Sequence, residues 1–287
     1  MASSGQKDPA PPAAWPPKLG YIAAKYYAGP HGQPDNAQIE KNIRAAVQCA
    51  VPFWKSGFAI FVPHLNTHHF QALTNVPESV YVAFDKRLLP GIDFLAGHAN
   101  VVDSTGGRGE IELMTRLGNP CFPTLRETLE WRAGRKHLTY RYDGIVEEPL
   151  FDEAAAKLKI AVLDGPYWAE GDAGPDLELV HANIDVAKQA AIGLWNAGIA
   201  CFTPQMNASY RESGGYRVPE PIYDFTIREI LKRVGDCLYL LPGWEHCPDV
   251  KARVEFASAL GKPVFTTQRN LLEWRDGGKP IITLRSV

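Results

Sequence analysis

The sequence predicts an α/β protein made of two similar parallel-sheet units, and two observations carry that prediction. The chain of 287 residues repeats itself at a spacing of 141 to 143 residues. Each copy alternates short apolar runs with longer helical patterns, an order typical of a parallel sheet covered by helices on both faces. We therefore expect two copies of one α/β unit in a single chain.

The repeat is an ordered series of identities. Eleven residues between positions 42 and 66 recur 141 positions later, among them Trp54 as Trp195. The segment Val76-Pro77-Glu78 recurs at an offset of 142, and Leu129-Glu130-Trp131 recurs at an offset of 143. Chance does not produce such a series with only two single-residue shifts. The predicted divisions are a tail at 1–18, a first unit at 19–131, a linker at 132–157 and a second unit at 158–287.

The first half of each unit reads as strand, helix, strand. The long helical pattern ends at Gly57 in the first unit and at Gly198 in the second, where a helix stop is expected. Apolar and β-branched runs on either side of the helix predict buried strands. The predicted elements are Gly20–Ala24, Gln38–Ser56 and Phe58–Val62 in the first unit, and Leu158–Leu163, Asp176–Ala197 and Ile199–Thr203 in the second.

The second half of each unit continues the alternation. A second helix leads to a third strand, which is clear in the second unit and weak in the first. A further helix stops at Gly118 or Gly261, and a short strand follows. The predicted elements are Phe94–Val102, Gly107–Leu117 and Cys121–Phe122 in the first unit, and Cys237–Leu241, Val250–Leu260 and Pro263–Thr266 in the second.

Composition excludes several classes of function. A net charge of −2 and a pI near 6.5 do not favour a nucleic acid polymer or an anionic membrane surface as partner. The Ala/Pro/Ser-rich tail has no signal-peptide pattern, so we expect it to be disordered. Five cysteines without CxxC spacing argue against a disulfide framework or a zinc ribbon. A reducing, cytoplasmic location fits best.

Ligands of open α/β sheets bind beyond the carboxyl ends of the strands, so the loops there are candidate sites. After the first strand, the second unit has Asp164-Gly165-Pro166-Tyr167, while the first unit keeps only the tyrosine, as Tyr26. A Gly-Pro turn lets the backbone approach a ligand, and a tyrosine can stack on a base. A plain tight turn explains the same residues equally well.

The loop after the second strand contains three histidines in the first unit, His64, His68 and His69. The second unit lacks all three, and no carboxylate or cysteine lies near them in the sequence. We therefore expect imidazoles that face ligand or solvent, and no metal. The asparagine of this loop, Asn66 or Asn207, occurs in both units and is a candidate substrate-binding residue.

The turn after the third strand differs between the units. In the first unit, Ser104 and Gly106 precede a helix, and small residues there leave free N–H groups that suit a phosphate. Glu110 lies in the first turns of this helix, where a glutamate also stabilises the helix end. In the second unit, Asp249 would repel a phosphate, and Trp244 is either a stacking surface or an ordinary packed aromatic.

Together, the Gly-Pro-Tyr turn, the Asn-Ile-x-x-Ala helix, the Trp-x-x-Gly stop, Leu-Pro-Gly-Trp-Glu and Leu-Gly-Lys-Pro-Val resemble the nucleoside 2-deoxyribosyltransferase superfamily, most closely its nucleotide N-glycosidases. The likeness covers residues 19–131 and 158–274. It implies two Rossmann-like (flavodoxin-like) parallel-sheet units, packed here as an internal pseudo-dimer. It also implies cleavage of an N-glycosidic bond, or transfer of the sugar, without metal or organic cofactor.

The resemblance implies a glutamate nucleophile and a helping aspartate. The family pattern Ser-x-Gly-x-x-x-Glu fits Ser104, Gly106 and Glu110, and the partner aspartate fits Asp85. At an offset of 143, the second unit has arginines, Arg228 and Arg253, at the two acidic positions. The second unit fits the pattern of another branch of the superfamily instead, with Asp224, Asp249 and Glu255 as its acidic residues.

These mixed motifs predict one effective site and one degenerate site, with Glu110 preferred over Glu255 as the nucleophile. The expected ligand is a nucleoside or a nucleoside 5′-monophosphate, with a slight preference for the monophosphate. Three functions stay open at this point. They are an N-glycosidase or glycosyltransferase, a catalytically inactive nucleotide-binding or sensing protein, and, least favoured, a structural partner protein. Further assembly into homo-oligomers also stays open.

Overall fold

A computed structural model describes residues 17–26, 35–98, 100–140, 157–171 and 174–277. The tail predicted to be disordered therefore lies outside the described residues up to position 16. Most of the predicted linker, 141–156, lies outside them too, as does the segment 278–287. The described residues cover most of both predicted units, without 27–34, 99, 172–173 and 278–287.

The first unit contains a parallel sheet of four strands. Its order is β2-β1-β3-β4, so that β1 lies at the centre beside both β2 and β3. Because these apolar strands are buried on both faces, they need helices on both sides of the sheet. The strands are β1 (Leu19–Ala23), β2 (Ala59–Phe61), β3 (Phe94–Gly97) and β4 (Cys121–Phe122).

Six α-helices accompany this sheet in the described part of the first unit. The long first helix begins after Asp35, whose carboxylate accepts the Gln38 N–H, and it ends before Gly57 at a φ of 78°. The helices are α1 (Asn36–Lys55), α2 (Pro63–Asn66), α3 (Phe70–Leu73), α4 (Glu78–Leu88), α5 (Thr105–Arg116) and α6 (Leu125–Arg132).

The second unit repeats the arrangement. Its main sheet runs β8-β5-β9-β10, all parallel, which is the order of the first sheet. A two-stranded ribbon, β6 (Glu170–Gly171) with β7 (Gly174–Pro175), follows β5. The remaining elements are β5 (Ile160–Asp164), α7 (Leu177–Asn196), β8 (Ala200–Phe202), α8 (Pro204–Asn207), α9 (Glu220–Arg233), β9 (Cys237–Leu240), α10 (Pro248–Ala259), β10 (Val264–Phe265) and α11 (Gln268–Arg275).

The predicted α/β class with two parallel four-stranded sheets is confirmed, and element ends differ by one to three residues in most cases. The larger difference is the third strand of the first unit, predicted over Phe94–Val102, which stops at Gly97. A 3₁₀ turn at Val101–Asp103 follows instead and leads directly into α5. No described helix is long and apolar enough to cross a membrane.

The edge strands β2 and β8 lie close to each other, and two asparagines connect them. Asn66 donates from Nδ2 to the Cys201 carbonyl (2.8 Å) and accepts the Thr203 N–H (2.8 Å). At the offset of 141, Asn207 makes the same pair of bonds to the Ile60 carbonyl (2.9 Å) and the Val62 N–H (2.7 Å). Each amide thus satisfies the outward backbone groups of the opposite edge strand.

Apolar and charged contacts surround these bonds. The rings of Phe61 and Phe202 lie 5.8 Å apart, and those of Tyr81 and Trp195 lie 4.8 Å apart. On the periphery, Arg233 of the second unit pairs with Asp93 at 2.8 Å. The contact between the two units therefore has an aromatic centre and a charged rim.

Candidate functional site

A cavity of about 740 Å³ opens at the carboxyl ends of β1, β2 and β3. Ala24 follows β1, His64 follows β2, and the segment Ser104–Gly107 follows β3. The chain passes from β1 to β2 on one side of β1 and then to β3 on its other side. A crevice therefore forms at the carboxyl ends of these three strands. The volume lies within the range of sites for small organic ligands.

Three polar side chains meet at the base of this cavity. Asp85 on α4 and Glu110 on α5 both line it. Tyr21, which is fully buried in β1, donates its hydroxyl to Glu110 Oε1 at 2.6 Å. A tyrosine in the middle of an apolar central strand needs such a partner, and Glu110 provides it.

The two carboxyls together keep one proton up to near-neutral pH. Burial raises the pKa of Asp85 from 3.8 to about 7, against the opposing hydrogen bond from Tyr21. Burial and then the charge of Asp85 raise the pKa of Glu110 well above its usual value. Since two carboxylates so close together resist ionising at once, one acid and one carboxylate can coexist near pH 7. General acid–base and nucleophilic chemistry require that combination.

His64 and Tyr26 form another wall of the cavity. His64 is only 4% exposed, and neither ring nitrogen has a hydrogen-bond partner among the described residues. Burial lowers its pKa to about 4, so the ring is neutral at physiological pH. Tyr26 lies edge-on to this ring, with centroids 5.3 Å apart. A buried imidazole without a partner suits a ligand that supplies the missing hydrogen bond.

Helix α5 begins at Thr105, earlier than predicted, so Gly106 and Gly107 lie in its first turn and not before it. Part of this glycine content has a packing cause. Ser104 is the N-cap of α5 and accepts the Gly107 N–H at 3.2 Å. A Cβ on Gly107 would lie 2.6 Å from a Val101 methyl, so only glycine fits there. Gly106, in contrast, lines the cavity, and a Cβ there would meet only the Ser104 hydroxyl, at an ordinary contact distance of 3.8 Å. Its backbone is therefore accessible to a ligand at the positive end of the helix.

In the second unit, an arginine occupies the position that corresponds to Glu110. Arg253 is 2% exposed and holds Asp164 through two hydrogen bonds, of 2.6 and 3.1 Å. It also donates to Asp224 at 2.9 Å. Burial alone would lower the pKa of Arg253, but the charge of Asp164 and these bonds raise it. Arg253 therefore stays protonated.

A second arginine extends this network. Arg228, which corresponds to Asp85, donates to Asp224 at 2.6 Å. The acidic residues Asp164 and Asp224, predicted to bind substrate, are thus already paired with arginines. A buried carboxylate in a bidentate ion pair is a poor nucleophile, because attack would leave a buried guanidinium unpaired.

The turn after β5 is packed tightly. Tyr167 is buried and donates its hydroxyl to the Ala208 carbonyl at 2.5 Å. A Cβ on Gly165 would lie 2.6 Å from the Cβ of Leu241, and Pro166 contacts the turn at Gly243. Trp244 is half-buried in the 3₁₀ turn that follows. Among the described residues, the Gly-Pro turn therefore has a packing role.

The other predicted site residues lie apart from the cavity. Glu255 and Asp249 are exposed on α10 of the second unit. Asn66 and Asn207, expected to bind substrate, use both amide groups in the contact between the units, and neither lines the cavity. The structure therefore brings together Asp85, Glu110, Tyr26, His64, Ser104 and Gly106, and leaves the remaining predicted residues outside this cavity.

Sequence reasoning missed two features. Tyr21 was not singled out, although a hydroxyl in a buried apolar strand is a signal that it needs a polar partner. A carboxylate does lie near His68 and His69, because α1 brings Glu40 to them from 28 residues away. That proximity depends on tertiary packing, and no pattern in the local sequence indicates it.

The chain matches no protein-family model, and neither the curated proteins nor the solved structures contain a match. The candidate site therefore rests on its own geometry.

Proposed function

We propose that the first unit cleaves the N-glycosidic bond of a nucleoside or nucleoside 5′-monophosphate, or transfers its sugar. The observation that carries this proposal is the Tyr21–Glu110–Asp85 group, whose two carboxyls line a cavity of about 740 Å³. A retaining mechanism needs one ionised carboxylate and one acid, and the shared proton of this pair supplies both.

In this mechanism, the proton shared by the pair lies on Asp85, and Glu110, the carboxylate that accepts the Tyr21 hydrogen bond, attacks the anomeric carbon through Oε. The bond from that carbon to the base nitrogen breaks, and its electron pair leaves with the base, which takes a proton from Asp85. Water, which gives a proton to the Asp85 carboxylate, or a second base then attacks the anomeric carbon, and the bond from that carbon to Glu110 Oε breaks. Tyr21 orients Glu110 through its 2.6 Å hydrogen bond. The glycine-rich start of α5 is suited to a 5′-phosphate, and Tyr26 is suited to contact the base.

We further propose that the chain is an internal pseudo-dimer with one working site. The matching hydrogen bonds of Asn66 and Asn207 support a two-fold relation, since each residue does for the opposite unit what its counterpart does in return. The Arg253–Asp164 pair supports a degenerate second site. In this proposal, the second unit serves as a scaffold for the first.

The test measures by chromatography how fast the free base is released from a panel of nucleosides and nucleoside 5′-monophosphates. We expect Glu110→Gln to lower the rate by at least about 1,000-fold, because it removes the nucleophile. Glu255→Gln is the matched control, since Glu255 is an exposed glutamate on the equivalent helix of the second unit. Equal residual activity in the two variants would contradict the single-site proposal. Tight binding of a monophosphate without any base release would favour a nucleotide-sensing protein instead.

A further inference from the structure

Three metal-ligating side chains meet outside the cavity. Glu40 lies on α1, and His68 and His69 lie in the turn between α2 and α3. The Nε2 atoms of both histidines lie 3.3 Å from Oε2 of Glu40. One ligand atom from each residue can be chosen so that all three lie within 4.8 Å of one another. The side chains are partly exposed, so an ion can reach them from solvent.

Two of the three spacings match the edges of a coordination tetrahedron. Zinc bonds to histidine nitrogen and carboxylate oxygen are about 2.0–2.2 Å long, which makes each edge of the tetrahedron roughly 3.3–3.6 Å. The two histidine–Glu40 distances of 3.3 Å fall at that edge length. The ligand atoms of the two histidines lie within 4.8 Å of each other, so this is the one edge that can require shortening when an ion binds.

The backbone holds the two histidines in an unusual arrangement. Within the described ranges, His69 is the only non-glycine residue with a positive φ, at 62°. Its ring stacks on that of His68, with centroids 4.1 Å apart. This arrangement brings the Nε2 atoms of both rings to the same carboxylate oxygen of Glu40.

A second carboxylate faces the other side of His68. Oε1 of Glu212, from the second unit, lies 3.8 Å from His68 Nδ1. A histidine that binds a metal through one nitrogen commonly directs the other towards a carboxylate, which orients the ring. Glu40 and Glu212 thus lie on the two nitrogens of one imidazole, and the group draws on both units.

We propose that Glu40, His68 and His69 bind a divalent transition metal, with Zn²⁺ as the expected ion and Glu212 as a positioning residue. Two imidazoles favour Zn²⁺ over Mg²⁺ or Ca²⁺, which prefer oxygen ligands. Three protein ligands leave one position of a tetrahedron for water. The second unit has His181, Ser209 and Tyr210 at the equivalent positions, so one ion per chain is expected.

This site would attach α1 to the turn that borders the cavity. Thr67 and Gln71, on either side of the two histidines, both line the cavity. The ion would hold that wall in place without taking part in the chemistry at Glu110.

The test is Zn²⁺ binding to the full chain after treatment with a chelator, measured by isothermal titration calorimetry and by elemental analysis after dialysis. We expect one Zn²⁺ per chain, and visible absorption bands of tetrahedral geometry when Co²⁺ is used instead. Glu40→Gln and His69→Asn should each weaken binding by at least about tenfold, and Glu212→Gln by about 10- to 100-fold. Asparagine tolerates the left-handed backbone of His69, so this variant should fold.

His246→Ala is the matched control, because His246 is exposed in the second unit away from the cluster. It should bind Zn²⁺ as the unsubstituted chain does. Circular dichroism checks that every variant is folded. A stoichiometry below one, or an affinity that Glu40→Gln and His69→Asn leave unchanged, would overturn the proposal.

Discussion

Asp85→Asn tests the Asp85–Glu110 carboxyl pair without any substrate. The substitution keeps the shape of the side chain and removes one titrating group from the base of the cavity. Its effect should appear in the pH dependence of stability, because Asp85 releases its proton at different pH values in the folded and unfolded chain.

The sign follows from the direction of the pKa shift. Burial raises the pKa of Asp85 from 3.8 to about 7, so between these values the folded chain holds a proton that the unfolded chain has released. The free energy of unfolding therefore falls as pH rises through this window. A shift of this size corresponds to at most about 4 kcal/mol, and access of water from the cavity lowers it to roughly 2–3 kcal/mol.

The assay is urea unfolding followed by tryptophan fluorescence at intervals from pH 4 to pH 8. We expect the Asp85→Asn chain to be more stable than the unsubstituted chain by roughly 2–3 kcal/mol at pH 8, and of similar stability at pH 4. Some pH dependence should persist, because Glu110 still titrates. Asp103→Asn, at an exposed position after β3, is the control and should leave the profile unchanged. Parallel profiles for Asp85→Asn and the unsubstituted chain would refute the shared-proton interpretation.

Three further predictions test other contacts. Asn66→Ala should lower the free energy of unfolding by about 2–4 kcal/mol in urea unfolding, because two buried backbone groups, the Cys201 carbonyl in β8 and the Thr203 N–H just after it, lose their partners. A loss below about 0.5 kcal/mol would contradict the interface role. Arg253→Met should lower the free energy of unfolding by about 3–5 kcal/mol, because it leaves Asp164 unpaired, and adding Asp164→Ala should recover part of that loss. If the losses of the two single variants simply add in the double variant, the pair is not coupled. Tyr21→Phe should slow base release about 10- to 100-fold with little change in fold, since it removes one hydrogen bond to a carboxylate; an unchanged rate would exclude Tyr21 from orienting Glu110.

The local sequence predicts much of the fold because the signals are short-range. Gly57 and Gly198 end their helices with φ values of 78° and 79°, a conformation that favours glycine wherever it occurs. The buried strands are apolar because a parallel sheet covered on both faces leaves no polar side. The third strand of the first unit was predicted too long, since an apolar run does not reveal where sheet hydrogen bonds stop.

Sequence alone also singled out Glu110 and Asp85, through the resemblance and the comparison of the two units. It did not pair them with Tyr21, because that contact joins a strand and a helix 89 residues apart. Likewise, Asn66 and Asn207 were expected at a ligand, yet their amides bind the opposite edge strand. A polar residue in a loop has the same local signature in either role.

By itself, the sequence determined the duplication, the α/β class and the divergence of the two units at Glu110 and Arg253. Periodicity and residue identity are properties of the local sequence and need no tertiary contacts. Only the tertiary structure decided which polar groups meet: Arg253 with Asp164 in one unit, Glu110 with Tyr21 in the other, and Glu40 with the two histidines. The physical reason is that charge pairing, burial and metal geometry depend on distances between atoms that are remote in the chain. Packing alone sets those distances.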